Sequence, residues 1–180
     1  MPSPLGHALA GAAAGWLVVG APRLFGPADP AERKRALKEA LVFGAFAMLP
    51  DVDLLFGGHR GPTHSIGAAL IVGAIVWVGT FNRDSHRWAL ACAAAYASHI
   101  PLDWWSHDNA PPIGIMALWP FTHDYYASQA PLFLAISRRY YHGWRFVITN
   151  AIAIAREVAI LGPIVVFVIA GRPRRPPRAV

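Results

Sequence analysis

Thr63-His64-Ser65-Ile66-Gly67-Ala68-Ala69-Leu70-Ile71-Val72-Gly73-Ala74-Ile75-Val76-Trp77-Val78-Gly79-Thr80-Phe81 joins a polar, histidine-bearing turn to an apolar run of 16 residues. A run of this length without a charge is helical, and Thr63 serves as its cap. It falls short of the about 20 residues that a membrane-spanning helix prefers, a difference that tilt or local thinning of the bilayer can absorb. The composition points the same way: 55% of the 180 residues are hydrophobic and only 14% are charged, with a mean hydropathy of +0.37. That is more apolar than an ordinary soluble domain of this size. The length suits one domain, residues 1–180.

Four further helical stretches flank this one. Ser3 caps a first helix from about Pro4 to Gly20. Asp29-Pro30 opens a second that ends near Leu49, before Pro50. A fourth covers about Ser85 to Trp105, and a last covers about Trp144 to Ala170, with Pro163 as a kink site. The stretch from Ser106 to His142 is aromatic and turn-rich, and reads as short helices and loops lying over whatever site the helices build. The expected fold is all-α: a membrane-embedded bundle of about five helices.

The net charge of +6 does not imply a nucleic-acid partner, because the basic residues flank apolar segments. Arg33-Lys34-Arg35 with Lys38, and the tail from Arg172 to Arg178, read as cytoplasmic flanks. The positive-inside rule puts Arg23, the Arg33–Lys38 run, Arg83, Arg87 and the tail inside, leaving Arg60, Arg138, Arg139 and Arg145 outside. This gives a multi-pass inner-membrane protein with its N-terminus out and its C-terminus in the cytoplasm. The N-terminal run lacks a preceding Lys or Arg and is interrupted by a histidine, so it reads as a retained helix. Cys92 is the only cysteine, which excludes an internal disulfide and a thiolate cluster; it reads as a small packed residue.

The same topology gathers every histidine except His86 at the outer face, together with five aspartates: Asp51, Asp53, Asp103, Asp108 and Asp124. His99 and Asp103 are four apart, so both project from one helical face. Asp51 and Asp53 follow Pro50; in an extended segment both carboxylates face one metal, and a cation between them relieves their repulsion. Gly57-Gly58-His59-Arg60-Gly61-Pro62-Thr63-His64 is a glycine-rich turn that places His64 in the first turn of the third helix. His7 lies near the outer end of the first helix. The expected metal ligands are therefore His7, Asp51, Asp53, His64, His99 and Asp103, a nitrogen and oxygen set suited to zinc, with room for more than one ion. Arg60, whose fork suits a phosphate or carboxylate, and His59 are the candidate catalytic residues. His107 continues the face of His99 and Asp103 only where the helix persists past Trp104-Trp105-Ser106; His123, Asp124 and His142 have no spacing argument, and Arg156-Glu157 is an ionisable pair inside an apolar helix, either mutually paired or functional. Trp104, Trp105, Trp119, Phe121, Tyr125 and Tyr126 read as an interfacial aromatic belt.

Met1-Pro2-Ser3-Pro4-Leu5-Gly6-His7, Leu49-Pro50-Asp51-Val52-Asp53, His59-Arg60-Gly61-Pro62-Thr63-His64-Ser65 and His99-Ile100-Pro101-Leu102-Asp103 together resemble the YdjM-like family, over roughly residues 1–122 including Trp119-Pro120-Phe121. That resemblance implies a LexA-binding, inner-membrane-associated, metal-dependent hydrolase. The His-x-x-x-Asp spacing is also similar to the all-helical zinc-dependent phospholipase C and single-strand nuclease superfamily. This second likeness implies His99 and Asp103 as ligands of a zinc cluster, with His64 and Asp51 or Asp53 bridging or completing it. The expected function is hydrolysis of a lipid or other phosphoester at the membrane interface by metal-activated water. The alternative is a non-enzymatic scaffold or regulator with a structural metal. A transporter fits less well, since the chain shows no broken-helix repeats.

Overall fold

A computed structural model describes residues 1–22, 24–25, 29–57, 59–80, 85–107, 111–137, 141 and 143–171. Arg23, Gly58, Phe81, Arg83, Asp108, Arg138, Arg139, His142 and the arginine-rich tail lie outside the described residues. Among those described, the α-helices are α1 (Pro4–Val19), α2 (Pro30–Met48), α3 (Ile66–Thr80), α4 (Ser85–Ala97), α5 (His99–Trp104) and α6 (Trp144–Gly171). Two 3₁₀ segments, Leu49–Phe56 and Pro62–His64, join α2 to α3.

Local chemistry sets most of these ends. The Ser3 hydroxyl accepts the Gly6 N–H, and Pro4 opens α1 at no cost in hydrogen bonds. Asp29 caps α2 through Ala31 N–H, and Glu32 sits in the first turn where the helix dipole favours it. The cap of α3 is Ser65, whose hydroxyl accepts the Ala68 N–H; Thr63 belongs to the preceding 3₁₀ turn. The expected fourth helix is two helices, broken at Ser98. Pro101 has no N–H to give the Ala97 carbonyl, and its ring crowds that carbonyl, so the chain re-aims before continuing as α5.

α4 lies in the middle, packed against α1, α2 and α3. Small residues let α1 and α2 approach closely. A Cβ on Gly15 would stand 2.3 Å from the Phe43 ring, and one on Gly11 would stand 2.6 Å from the Phe43 carbonyl. Phe43 is accordingly sealed between α1 and α2, in a core shared with Ala12, Trp16, Ala91, Cys92, Ala95 and Val168. Cys92 is buried there, as its setting suggested.

α6 packs on α1, and the two run parallel. Glu157 meets Ser3, Leu161 shares a cluster with Leu9 and Ala10, and Val168 lies in the cluster with Trp16 and Val19. The first turns of α6 therefore project past the start of α1. Among the described residues α6 is the one helix long and apolar enough to cross a membrane; α1 and α3 are apolar but shorter. Exposed apolar side chains run along α3 (Leu70, Ile71, Ile75, Trp77, Val78) and along α6 (Ile152, Val158, Ile164, Val166, Phe167).

The stretch 105–137 contains no helix among its described residues, contrary to the short helices expected. It is a loop held by two isolated bridges, Ser106 to Phe133 and Ile115 to Tyr126. Main-chain hydrogen bonds fasten it at the site end of the bundle: Met116 N–H to the Arg60 carbonyl, Ile66 N–H to that of Ala117, and Ile136 N–H to that of Met1.

Candidate metal centre

The start of α1, the end of α2, the two 3₁₀ segments and α5 meet at one end of the bundle. There Asp51, His64, His99 and Asp103 each aim one donor atom at a common point, all within 4.8 Å of one another. His99 Nε2 lies 3.3 Å from Asp103 Oδ2 and 3.8 Å from Asp51 Oδ1. His64 Nε2 lies 3.5 Å from Asp103 Oδ2 and 3.6 Å from Asp51 Oδ1. Bond lengths of about 2.0–2.1 Å to zinc give tetrahedral edges of about 3.3–3.4 Å, so these spacings suit a shared cation. His64, His99 and Asp103 are buried, while the Asp51 side chain is 22% exposed and marks the open side.

None of these separations is an ordinary short hydrogen bond. His64 Nε2, His99 Nε2, Asp51 Oδ1 and both Asp103 oxygens are buried without a hydrogen-bond partner, as are both nitrogens of His7. Buried polar atoms are normally paired. Several orphans turned toward one point, in a set of imidazole nitrogens and carboxylate oxygens, fit a divalent metal.

The supporting contacts are equally specific. His99 Nδ1 lies 2.8 Å from the Ala47 carbonyl at the end of α2, to which it donates, leaving the Nε2 lone pair facing inward. On its other edge His64 turns Nδ1 toward Asp53 Oδ2, 3.3 Å away, and the Thr63 hydroxyl, 3.0 Å away. Asp53 also accepts the Arg60 N–H at 3.0 Å, the Thr63 hydroxyl at 2.8 Å and His59 Nδ1 at 2.9 Å. Tyr96 in α4 donates to the Thr63 carbonyl at 2.7 Å and so fixes the 3₁₀ turn.

Asp51 and Asp53 do not face the same way. Their segment is a 3₁₀ helix rather than an extended strand, and at three residues per turn positions i and i+2 point well apart. Asp51 joins the four-residue group; Asp53 stands with His59 and His64 in a second one. His64, expected in the first turn of α3, ends the 3₁₀ turn instead and lies between the two groups. His7 is stacked on His99, ring centroids 3.9 Å apart, with Nε2 3.5 Å from Asp103 Oδ1. Arg60 is buried with a left-handed backbone, φ 68°, and its guanidinium donates to the Pro112 carbonyl at 2.9 Å. His59 is half-buried, with Nε2 2.6 Å from the Met1 sulfur.

Electrostatics follow from this crowding. Burial lowers the His64 pKa, but Asp51 and Asp53 on its two edges more than reverse that and raise it to about 9. Burial works to raise the Asp53 and Asp103 carboxyls; the imidazoles around each outweigh it and leave both well below the usual carboxylate range. Burial is the main cause that lowers His59. The shifts on His64, Asp53 and Asp103 share one cause, the close approach of imidazoles and carboxylates.

His107, His123 and Asp124 are exposed and stand outside both groups. Glu157 is fully buried and accepts hydrogen bonds from the Ser3 N–H and hydroxyl, whereas Arg156 is exposed. The Glu157–Ser3 and His99–Ala47 links were not visible in the sequence. The only signal was a carboxylate set in an apolar helix.

The fold is a helical bundle packed through small residues, with a largely buried His/Asp cluster at one end that could hold a metal ion. The sequence model of the YdjM inner membrane protein family matches residues 1–175, and the chain belongs to that family. The match runs well past residue 122, where the motif resemblance ended. Comparison with curated proteins and with solved structures finds no match.

Proposed function

We propose that this protein is a membrane-embedded, metal-dependent hydrolase acting on a phosphoester at the outer interface of the inner membrane, a lipid head group being the preferred substrate. The observation that carries this is the convergence of Asp51, His64, His99 and Asp103 on one point with their donor atoms unpartnered. A zinc ion held there would supply Lewis acidity and bring a water molecule's pKa toward neutrality. The chain's residues do the rest. Ala47 and Asp53 hold the rings of His99 and His64 so that each offers Nε2. His59, half-buried and hydrogen-bonded to Asp53, can take or give a proton at the mouth of the site. Arg60 keeps its loop on Pro112 and lends positive charge near the oxygens that gain charge in the reaction.

The lipid assignment rests on surroundings. Leu55 and Phe56 are 80% and 83% exposed just beyond Asp53, and Phe121 is 91% exposed in the overlying loop. Exposed apolar groups near a cluster of polar side chains suit a membrane interface. The multi-pass arrangement with N-terminus out and C-terminus in belongs to the same proposal, with α3 and α6 facing lipid.

One observation favours a second reading. Four protein donors at tetrahedral spacing can close a zinc site, and a closed site is structural; the protein would then be a membrane scaffold or regulator. The deciding experiment is metal content by emission spectrometry on detergent-purified protein, with hydrolysis assayed on phospholipids and lipid phosphates. Bound metal with metal-dependent turnover supports the enzyme. Bound metal without turnover of any ester supports the scaffold, and absence of metal removes both.

A further inference from the structure

His64 and His99 have their outer nitrogens anchored, on Asp53 and Thr63 and on the Ala47 carbonyl. His7 has no such anchor: it is completely buried, and both ring nitrogens lack a hydrogen-bond partner. Its place comes from stacking on His99, from Asp103 Oδ1 3.5 Å from its Nε2, and from the backbone of α1. That backbone is pinned from α6. Glu157, also completely buried, accepts the Ser3 N–H at 2.7 Å and the Ser3 hydroxyl. The Ser3 carbonyl in turn accepts the His7 N–H at 3.1 Å. Gly6 makes the approach possible, since a Cβ there would stand 2.6 Å from Glu157 Oε2.

We propose that Glu157 is a positioning residue for the candidate metal centre, setting through Ser3 where α1 presents His7. The inference rests on the metal reading above. It explains why a carboxylate is kept inside an apolar helix, where an ionisable group is costly, and it makes the seating of α6 on α1 part of the site. Ligand-supporting contacts of this kind are typically worth about 10–100-fold in metal affinity.

The test uses Co²⁺ as the probe on the full chain in detergent, reading affinity and the visible absorption of the bound ion. Glu157→Gln should bind Co²⁺ about tenfold more weakly than wild type, with an altered spectrum. Ser3→Ala, which reaches the link from its other side, should move both readings in the same direction. In a His7→Ala background Glu157→Gln should cost nothing more, because Glu157 acts through His7. Glu39→Gln is the control. Glu39 is another buried carboxylate, bonded to Trp16 Nε1 at 3.1 Å, and its loss should lower thermal stability without touching the cobalt spectrum. Wild-type affinity and spectrum in both Glu157→Gln and Ser3→Ala would overturn the inference, as would losses that multiply with His7→Ala. Wild-type protein that binds no Co²⁺ would overturn the metal reading itself, and this inference with it.

Discussion

Replacing Asp103 by asparagine should separate a metal centre from a packed polar core. The Asp103 side chain is 1% exposed and offers one oxygen toward His7 and the other toward His64 and His99, at 3.3–3.5 Å. Asparagine keeps the volume and polarity and removes the anionic donor. Without a cation, five donor atoms of Asp51, His64, His99 and Asp103 stay buried and unpartnered. An unsatisfied buried group costs about 1–3 kcal/mol; at the low end of that range, filling the site is worth about 4–5 kcal/mol. Mass action gives a similar figure, about 4 kcal/mol at a thousandfold excess over Kd. At about 2–4 °C per kcal/mol for a chain of this size, chelation should lower the Tm of the wild-type protein by about 10 °C. The assay is thermal unfolding in detergent with and without chelator, alongside metal content. Asp103→Asn should be folded, metal-poor and indifferent to chelator. A wild-type Tm that ignores chelator, or full metal occupancy in Asp103→Asn, refutes the reasoning.

Asp53→Asn should behave differently from Asp103→Asn: metal still binds, about 10–100-fold more weakly by titration, because an orienting contact to His64 is damaged. Arg60→Lys should retain metal by emission spectrometry while hydrolysis of a lipid phosphate falls, since lysine cannot reproduce the planar fork; unchanged turnover would remove Arg60 from the reaction. Gly15→Ala should lower stability by about 1–3 kcal/mol in denaturant unfolding, because the new methyl would meet the Phe43 ring at 2.3 Å. A reporter fused into the loop carrying His59 should be active only outside the cytoplasm, and cytoplasmic activity would reverse the proposed orientation.

The helices that carry their own punctuation were readable in advance. Ser3-Pro4 and Asp29-Pro30 announce α1 and α2, and the apolar run from Trp144 announces α6, because capping and apolar run length are local properties. His99 and Asp103 share a face for the same reason. The turn from Leu49 to His64 was not readable: whether Asp51 and Asp53 point together or apart depends on an extended or 3₁₀ backbone, and tertiary packing decides that. Pro101 did carry a readable signal, since it breaks the helix at Ser98, but its effect on the aim of His99 needed the fold. The partners of Glu157 and of His99 Nδ1 lie 154 and 52 positions away in the chain. No periodicity reaches that far.

The anchor of His99 is a main-chain carbonyl, that of Ala47, and this gives the site an unusual kind of mutational tolerance. A side-chain anchor disappears with one codon change, whereas a carbonyl survives any substitution at its own position that keeps α2 in place. The vulnerability moves elsewhere. A Cβ on Gly11 would stand 2.5 Å from the Ala47 Cβ, so the change that most directly threatens the His99 tautomer is a side chain added on the neighbouring helix, at a residue that touches no imidazole. Drift in this protein would then strike its chemistry through a glycine that carries no functional group.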